Sequence, residues 1–228
     1  MKILAIETID VSASAALLEN DTVVVSQTLL PGQRSAQYLA PMVRDLLASV
    51  NWKANDIQLV GVVQGPGSFT GLRVGIAFAK VFAYAAEAEI IAVNTLDLLA
   101  ENFPEEVKKV SIALDAQRGQ VIARNFNRNE AGFWVSEGEM KMLELDDWAE
   151  LSEGSWLAGP VLAQKRKYLP ENIRTVPEEF WLPSIEALGK NVFRKYQEGE
   201  RTDLWNLLPI YSRPAAAEER RMEARKKG

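Results

Sequence analysis

One stretch, Gly65-Pro66-Gly67-Ser68-Phe69-Thr70-Gly71-Leu72-Arg73-Val74-Gly75, has the residue types of an anion-binding turn. It follows the apolar run Leu59-Val60-Gly61-Val62-Val63 and leads into a helix-forming run from Ile76 to Ala88. A strand, a glycine-rich turn and a helix in that order set several backbone N–H groups at the positive end of a helix, where a phosphate can be received. Gly65, Gly67, Ser68 and Thr70 are the candidate contacts. The stretch is not a P-loop, because no Lys follows its last Gly, nor a dinucleotide fingerprint, because Thr70 takes the third glycine slot. A second reading needs no ligand: glycines stand where strand and helix pack closely, and Ser68 and Thr70 are helix caps first. On the sequence both readings stay open.

Acidic residues end predicted strands at Glu7, Asp10 and Asp115. Such positions hold Mg²⁺ or a water in phosphoryl-transfer enzymes, and they also cap turns. Thr8 beside Glu7 and Arg118 after Asp115 complete the candidate anion or nucleotide set. The chain has 0 His and 0 Cys. Ser-His-Asp and Cys-His catalysis are thereby excluded, and zinc would need an all-carboxylate site. Carboxylate chemistry and Mg-dependent phosphoryl transfer pass the filter; no metal site is assigned.

Strands are predicted over 3–7, 12–18 and 22–29, with breaks short enough for antiparallel neighbours. Ser35 caps a helix over 36–50, whose Leu39, Met42, Val43, Leu46, Leu47 and Val50 follow the i, i+3, i+4, i+7 rule. Pro41 lies too deep for the first turn, so it bends this helix or delays its start. A strand over 59–64, the glycine turn, a helix over 70–88, a strand over 90–93 and a short helix over 96–102 capped by Thr95 complete the first half. The second half restarts with strands over 110–115 and 121–126, weaker ones over 133–135 and 140–143, a short helix capped by Asp146, a strand over 155–158, a helix over 183–197 and a closing strand over 208–211. Ile6-Glu7-Thr8 and Leu114-Asp115-Ala116 open the two halves alike, the mark of a duplicated α/β fold. The expected division is 1–104, 105–214 with its last strand or helix returning to the first half, and a charged tail over 215–228.

At 228 residues the chain can bury a substantial core, and 47% hydrophobic with 25% charged residues is ordinary for a globular protein. A net charge of -5 lacks the global basic footprint of a nucleic-acid binder. No window is read as having the length and apolarity of a membrane span, and residues 1–7 look like a strand rather than a secretory signal. Without Cys, the cytoplasm is the expected location. The helix over 70–88 is the second signal. Its polar residues are Arg73 and Lys80, seven apart, with Glu87 continuing the stripe; nearly everything else is apolar or Gly. Such apolarity predicts burial on nearly all sides, more than packing on one sheet supplies, so a partner is expected on the outer face. Tyr38, Leu39, Met42 and Leu46 of the preceding helix and Arg73, Val74, Phe78 and Phe82 of this one are the candidate interface.

Taken together, Ile3-Leu4-Ala5-Ile6-Glu7-Thr8, the block from Gly65 to Gly75, Ala113-Leu114-Asp115-Ala116-Gln117-Arg118-Gly119 and Pro209-Ile210-Tyr211-Ser212-Arg213 resemble the TsaB (YeaZ-like) family. The resemblance extends over the chain up to Arg213. It implies the actin/Hsp70/sugar-kinase (ASKHA) fold of duplicated βββαβα type. It also implies a non-catalytic subunit in the formation of threonylcarbamoyladenosine at adenosine 37 of tRNAs reading ANN codons. The implied partners are a TsaD-like transferase, bound through the first two helices, and a TsaE-like ATPase, with tRNA reached through the complex and a homodimer formed by the chain alone. No cofactor of its own is implied beyond weak ATP or ADP binding, and members are described as inactive homologues of metal-dependent proteases. Glu7 stands where the family usually has Asp, Ser35 where it often has His, and Gln64 where it often has Arg, departures that bear on any independent nucleotide site. The rival expectation is a standalone kinase or ATPase of the same fold, weakened by the lack of a second DGTG-type loop.

Overall fold

The structure, a computed structural model, describes residues 1–9, 12–101 and 103–213. Asp10 and the tail 215–228, both singled out above, lie outside the described residues. The first strand, β1 (Lys2–Glu7), is apolar on both faces because both faces are covered: Leu4 and Ile6 point into one core layer, Ile3 and Ala5 into another. It is central in a five-stranded sheet of order β3-β2-β1-β4-β5, with β2 (Ser14–Glu19), β3 (Thr22–Thr28), β4 (Leu59–Gly65) and β5 (Glu89–Asn94). β1, β2 and β3 pair antiparallel through short turns. β4 and β5 run parallel to β1 and need helical crossovers, α1 (Ser35–Ser49) and α2 (Phe69–Ala86). Both crossovers pack on one sheet face. On the other lies α6 (Ile185–Gln197), whose Ile185, Leu188 and Val192 join the core of Ile3, Ala5 and Leu59, so a late helix returns to the first sheet.

The second half repeats the plan. β6 (Lys109–Asp115) pairs antiparallel with β7 (Gln120–Arg128), β7 with β8 (Trp134–Glu144), and β9 (Trp156–Ala158) lies parallel to β6. The order β8-β7-β6-β9 is that of β3-β2-β1-β4, so β6 is the counterpart of β1. This is the expected duplicated α/β fold. Three short helices complete it: α3 (Thr95–Ala100), α4 (Leu145–Leu151) and α5 (Val161–Lys165). The halves are tied by an Asp97–Arg124 ion pair at 3.0 Å. Burial pushes the Asp97 carboxyl above its ordinary value, and the Arg124 charge pulls the other way.

Several local expectations are corrected. Ser35 is the first residue of α1 rather than its cap; Arg34 holds the cap position without a side-chain bond, and the helix runs on through Pro41. Asn94, not Thr95, caps α3, its Oδ1 accepting from the Leu96 N–H at 2.8 Å, while the Thr95 hydroxyl donates to the Pro66 carbonyl at 2.6 Å. Glu144 precedes α4, which moves Asp146 into the first turn. The two weak strands near 133 and 140 are one strand, β8, continuous through the polar Glu137-Gly138-Glu139 that interrupts its apolar alternation. Segment 208–211 is not a strand. It lies along the end of β4, where Ile210 N–H donates to the Gln64 carbonyl and the Gln64 side-chain amide donates to the Leu208 carbonyl, each at 2.8 Å. Finally, α2 does reach the length and apolarity of a candidate membrane span, with a mean hydropathy of 1.3. Here it lies on the sheet, with Leu72, Ile76, Ala79 and Ala83 buried.

Candidate functional site

The glycine turn is filled by its own chain. A Cβ on Gly71 would stand 1.9 Å from the Thr8 carbonyl oxygen, and one on Gly75 would stand 2.1 Å from Thr8 Oγ1. Gly67 faces Ile9 in the same way, at 2.7 Å. Gly65 has φ +110, and a Cβ there would stand 2.3 Å from the Ile210 carbonyl oxygen. The Thr8 hydroxyl donates to the Gly71 carbonyl at 2.8 Å, and the Ser68 N–H donates to the Ile9 carbonyl at 3.1 Å. Ser68 caps α2, its Oγ accepting from the Gly71 N–H at 3.2 Å, with exposed Thr70 in the first turn. The spacing that suggested a phosphate cradle therefore serves a close approach of α2 to the end of β1.

Glu7 and Asp115 end the equivalent strands β1 and β6, as expected from the repeat. Each carboxylate accepts the N–H two residues on, Glu7 from Ile9 and Asp115 from Gln117 at 2.8 Å, which is turn capping. Arg118 lies in the same turn, where Gln117, Arg118 and Gly119 all have positive φ.

The predicted partner face divides into three. Leu39, Met42 and Leu46 are buried in the chain's own core with Leu4, Leu17 and Ile76, so they offer no outer surface; this corrects the expected set. Arg73 is engaged by the segment 203–213. Its Nε donates to the Tyr211 hydroxyl at 2.8 Å, and its guanidinium lies 4.0 Å over the Phe69 ring, which stacks on Tyr211. Lys80 donates to the Trp205 and Leu207 carbonyls at 3.1 and 3.2 Å, and Tyr84 meets Trp205 edge to face. The stripe of Arg73 and Lys80 is thus where this strap crosses α2. The third part stays open. Val74, Phe78 and Phe82 are half-buried, Tyr38 is exposed, Val81 is 70% exposed and Tyr84 66%.

Beside that stripe the strap leaves Trp205 71% exposed, although Leu207 two residues on enters the core. Sequence reading missed Val81, Tyr84 and Trp205 as surface residues. The helical period could have found the first two. At about 100° per residue, Val81 falls opposite the buried Ala79–Ala83 line and Tyr84 about 120° from it. Nothing local could have found Trp205.

Asp203 fixes the strap's first turn. It accepts from the Trp205 N–H at 2.8 Å and from the Asn206 side-chain amide at 2.6 Å. The Trp205 N–H bond first, then Asn206, hold its carboxyl below the ordinary aspartate value. A depressed carboxylate contributes stability that is fully present above its unfolded value and is lost as pH falls through its folded value. Below the ordinary aspartate range the Trp205 turn is therefore expected to loosen, read as faster amide exchange at 205 and 206. Asp203→Asn should remove that pH step; a step that survives it belongs to another group.

A protein from Escherichia coli (strain K12) named "tRNA threonylcarbamoyladenosine biosynthesis protein TsaB" is 30% identical over 226 residues, which cover 93% of this chain and 95% of that one. The protein of the same name from Bacillus subtilis (strain 168) is 30% identical over 239 residues, 99% and 100% of the two chains. This chain belongs to the TsaB family. A family model described as "TsaD: tRNA N6-adenosine threonylcarbamoyltransferase" matches residues 30–136, from just before α1 to within β8. The solved structure of YeaZ from Pseudomonas aeruginosa superposes with a TM-score of 0.77 at 24% identity, over 92% of this chain and 99% of that one, and shares the fold. For a TsaB-family member, the filled glycine turn and the open α2 face are the two features a functional reading has to explain.

Proposed function

We propose that this chain takes part in the formation of threonylcarbamoyladenosine in tRNA, as a non-catalytic subunit that binds and stabilises a TsaD-type transferase. The family membership supports the process, and the TsaD-like match over 30–136 supports kinship with the transferase itself. One observation carries the binding role: a helix that packs tightly on its sheet still presents Val74, Phe78, Val81 and Tyr84 as an apolar stripe. Covering such a stripe stabilises a complex by about 25 cal/mol for each Å² of apolar surface removed from water. A subunit that binds only the active conformation of its partner shifts the partner toward it by mass action. Alone, the same stripe pairs with a second copy about a two-fold axis. A TsaE-type ATPase joins the pair, tRNA meets the assembled complex, and the complex works in the cytoplasm.

The subunit uses no metal or nucleotide of its own in this reading. Gly67, Gly71 and Gly75 lie against Ile9 and Thr8, which supports a packing role for the turn, and the Glu7 and Asp115 carboxylates accept turn N–H groups. The rival is a standalone kinase or ATPase. Reconstitution separates the two: with the transferase, its ATPase, ATP, a preformed threonylcarbamoyl-adenylate donor and unmodified tRNA, omission of this chain should reduce modified nucleoside at least about tenfold. Full modification without it, or steady ATP turnover by the isolated chain, would overturn the proposal.

A further inference from the structure

The strap over α2 tucks Leu204 and Leu207 into the core of the first sheet and leaves its largest side chain, Trp205, in solvent. Both ends of the strap are pinned. Thr202, just before it, lies on the edge of β5, its N–H donating to the Ile90 carbonyl at 3.1 Å and its hydroxyl accepting from the Ala92 N–H at 2.9 Å. Leu208 and Ile210, bonded to Gln64, hold the other end on β4. Trp205 itself is fixed from three sides. Asp203 accepts from its N–H, its carbonyl accepts from Lys80 Nζ, and its ring meets Tyr84 edge to face with 5.6 Å between ring centres. At about 100° per residue Tyr84 falls between Val81 and Lys80 around α2, so the indole borders the open stripe directly.

That stripe is too small to hold a partner by itself. A stable interface takes about 800 Å² from each side, whereas Val74, Phe78, Val81 and Tyr84 are four side chains, two of them half-buried. A buried aromatic adds about 150–250 Å², and tryptophan is among the types on which interface energy most often depends. Because the strap has already fixed the Trp205 backbone, docking loses little ordering entropy there. We propose that Trp205 is an anchor for the TsaD-type transferase, seated beside the α2 stripe, and that Asp203 positions it. The inference rests on the docking role proposed above for α2. A partner seated on Val81 and Tyr84 also meets the indole, and the TsaD-type match over 30–136 takes in both α1 and α2, so such a transferase carries a related helix pair to lay against this face. An anchor of this kind needs a pocket opposite it. In a two-fold pair this same face would have to supply it, yet the groove of about 1060 Å³ in this chain lies in its second half and is lined by none of these residues. The pocket is therefore expected on a different protein.

The test measures the dissociation constant of the full chain with its transferase, and self-association of the chain alone by sedimentation. Trp205→Ala should weaken the pair at least about tenfold and Trp205→Phe by about threefold or less. In both, the thermal midpoint of the free chain should move by no more than about 2 °C. Asp203→Ala should weaken the pair about threefold in the wild-type background and add nothing beside Trp205→Ala, a coupling that a merely structural role would not produce. Wild-type affinity in Trp205→Ala overturns the inference; if Val81→Asp abolishes capture in the same experiment, the α2 reading stands without it. Loss in Trp205→Ala with capture intact in Val81→Asp puts docking on the strap alone and overturns both readings. If Trp205→Ala breaks only the self-associated pair and leaves the transferase bound, the indole belongs to a contact with a second copy, and the inference is overturned.

Discussion

Val81→Asp is expected to abolish co-purification of the chain with a TsaD-type transferase, weakening the pair at least about a hundredfold, while leaving a folded monomer. The side chain is largely in water in the free chain, so a carboxylate there costs the monomer little. In a complex the same carboxylate is buried against apolar surface without a partner, a loss of about 3 kcal/mol or more, which is the hundredfold stated. Leu151→Asp supplies the control. Leu151 is another exposed apolar residue, at the end of α4, and its replacement should leave capture unchanged. Equal loss in both variants would mean that general solubility, not the α2 face, decides association.

The second large effect concerns the glycine turn. Gly71→Ala should lower the thermal midpoint by about 6–12 °C, from about 3 kcal/mol of overpacking at about 2–4 °C per kcal/mol for a chain of this size. The added methyl would meet the Thr8 carbonyl, which is backbone and has nowhere to retreat at the end of β1. Gly75→Ala instead meets the Thr8 side-chain oxygen. Thr8→Ala should therefore rescue part of the Gly75→Ala loss and none of the Gly71→Ala loss, a difference that a double-mutant cycle resolves. If the turn were a phosphate cradle instead, Gly71→Ala would weaken ATP binding with little change in the thermal midpoint.

How far the sequence could be read differs from element to element. The doubly covered strand β1 and the crossover helices were legible because their apolar periods are set by what covers them. The same period could not say whose atoms do the covering. Leu39, Met42 and Leu46 fit an interface as well as they fit the core they occupy, since both bury the same residue types. The glycine block was legible as a strand-to-helix connection and ambiguous as a site, because its decisive neighbour, Thr8, lies 63 residues away from Gly71 in the chain. The strap was invisible for the same reason: Lys80 reaches Leu207 over 127 residues, and no local signal marks such a contact. What the sequence did supply, excess apolar surface on α2, survives in reduced form, as one open stripe rather than a whole exposed side.

Hydrogen exchange on the mixed chain and transferase, against the chain diluted until monomeric, reports whether the open stripe of α2 is the docking face. The expected result is new protection concentrated in the outer turns of α2 around Val74, Phe78 and Val81, extending to the start of α1 near Tyr38, with the second sheet unchanged. Stable complex formation with exchange across α2 identical to that of the chain diluted until monomeric would contradict it.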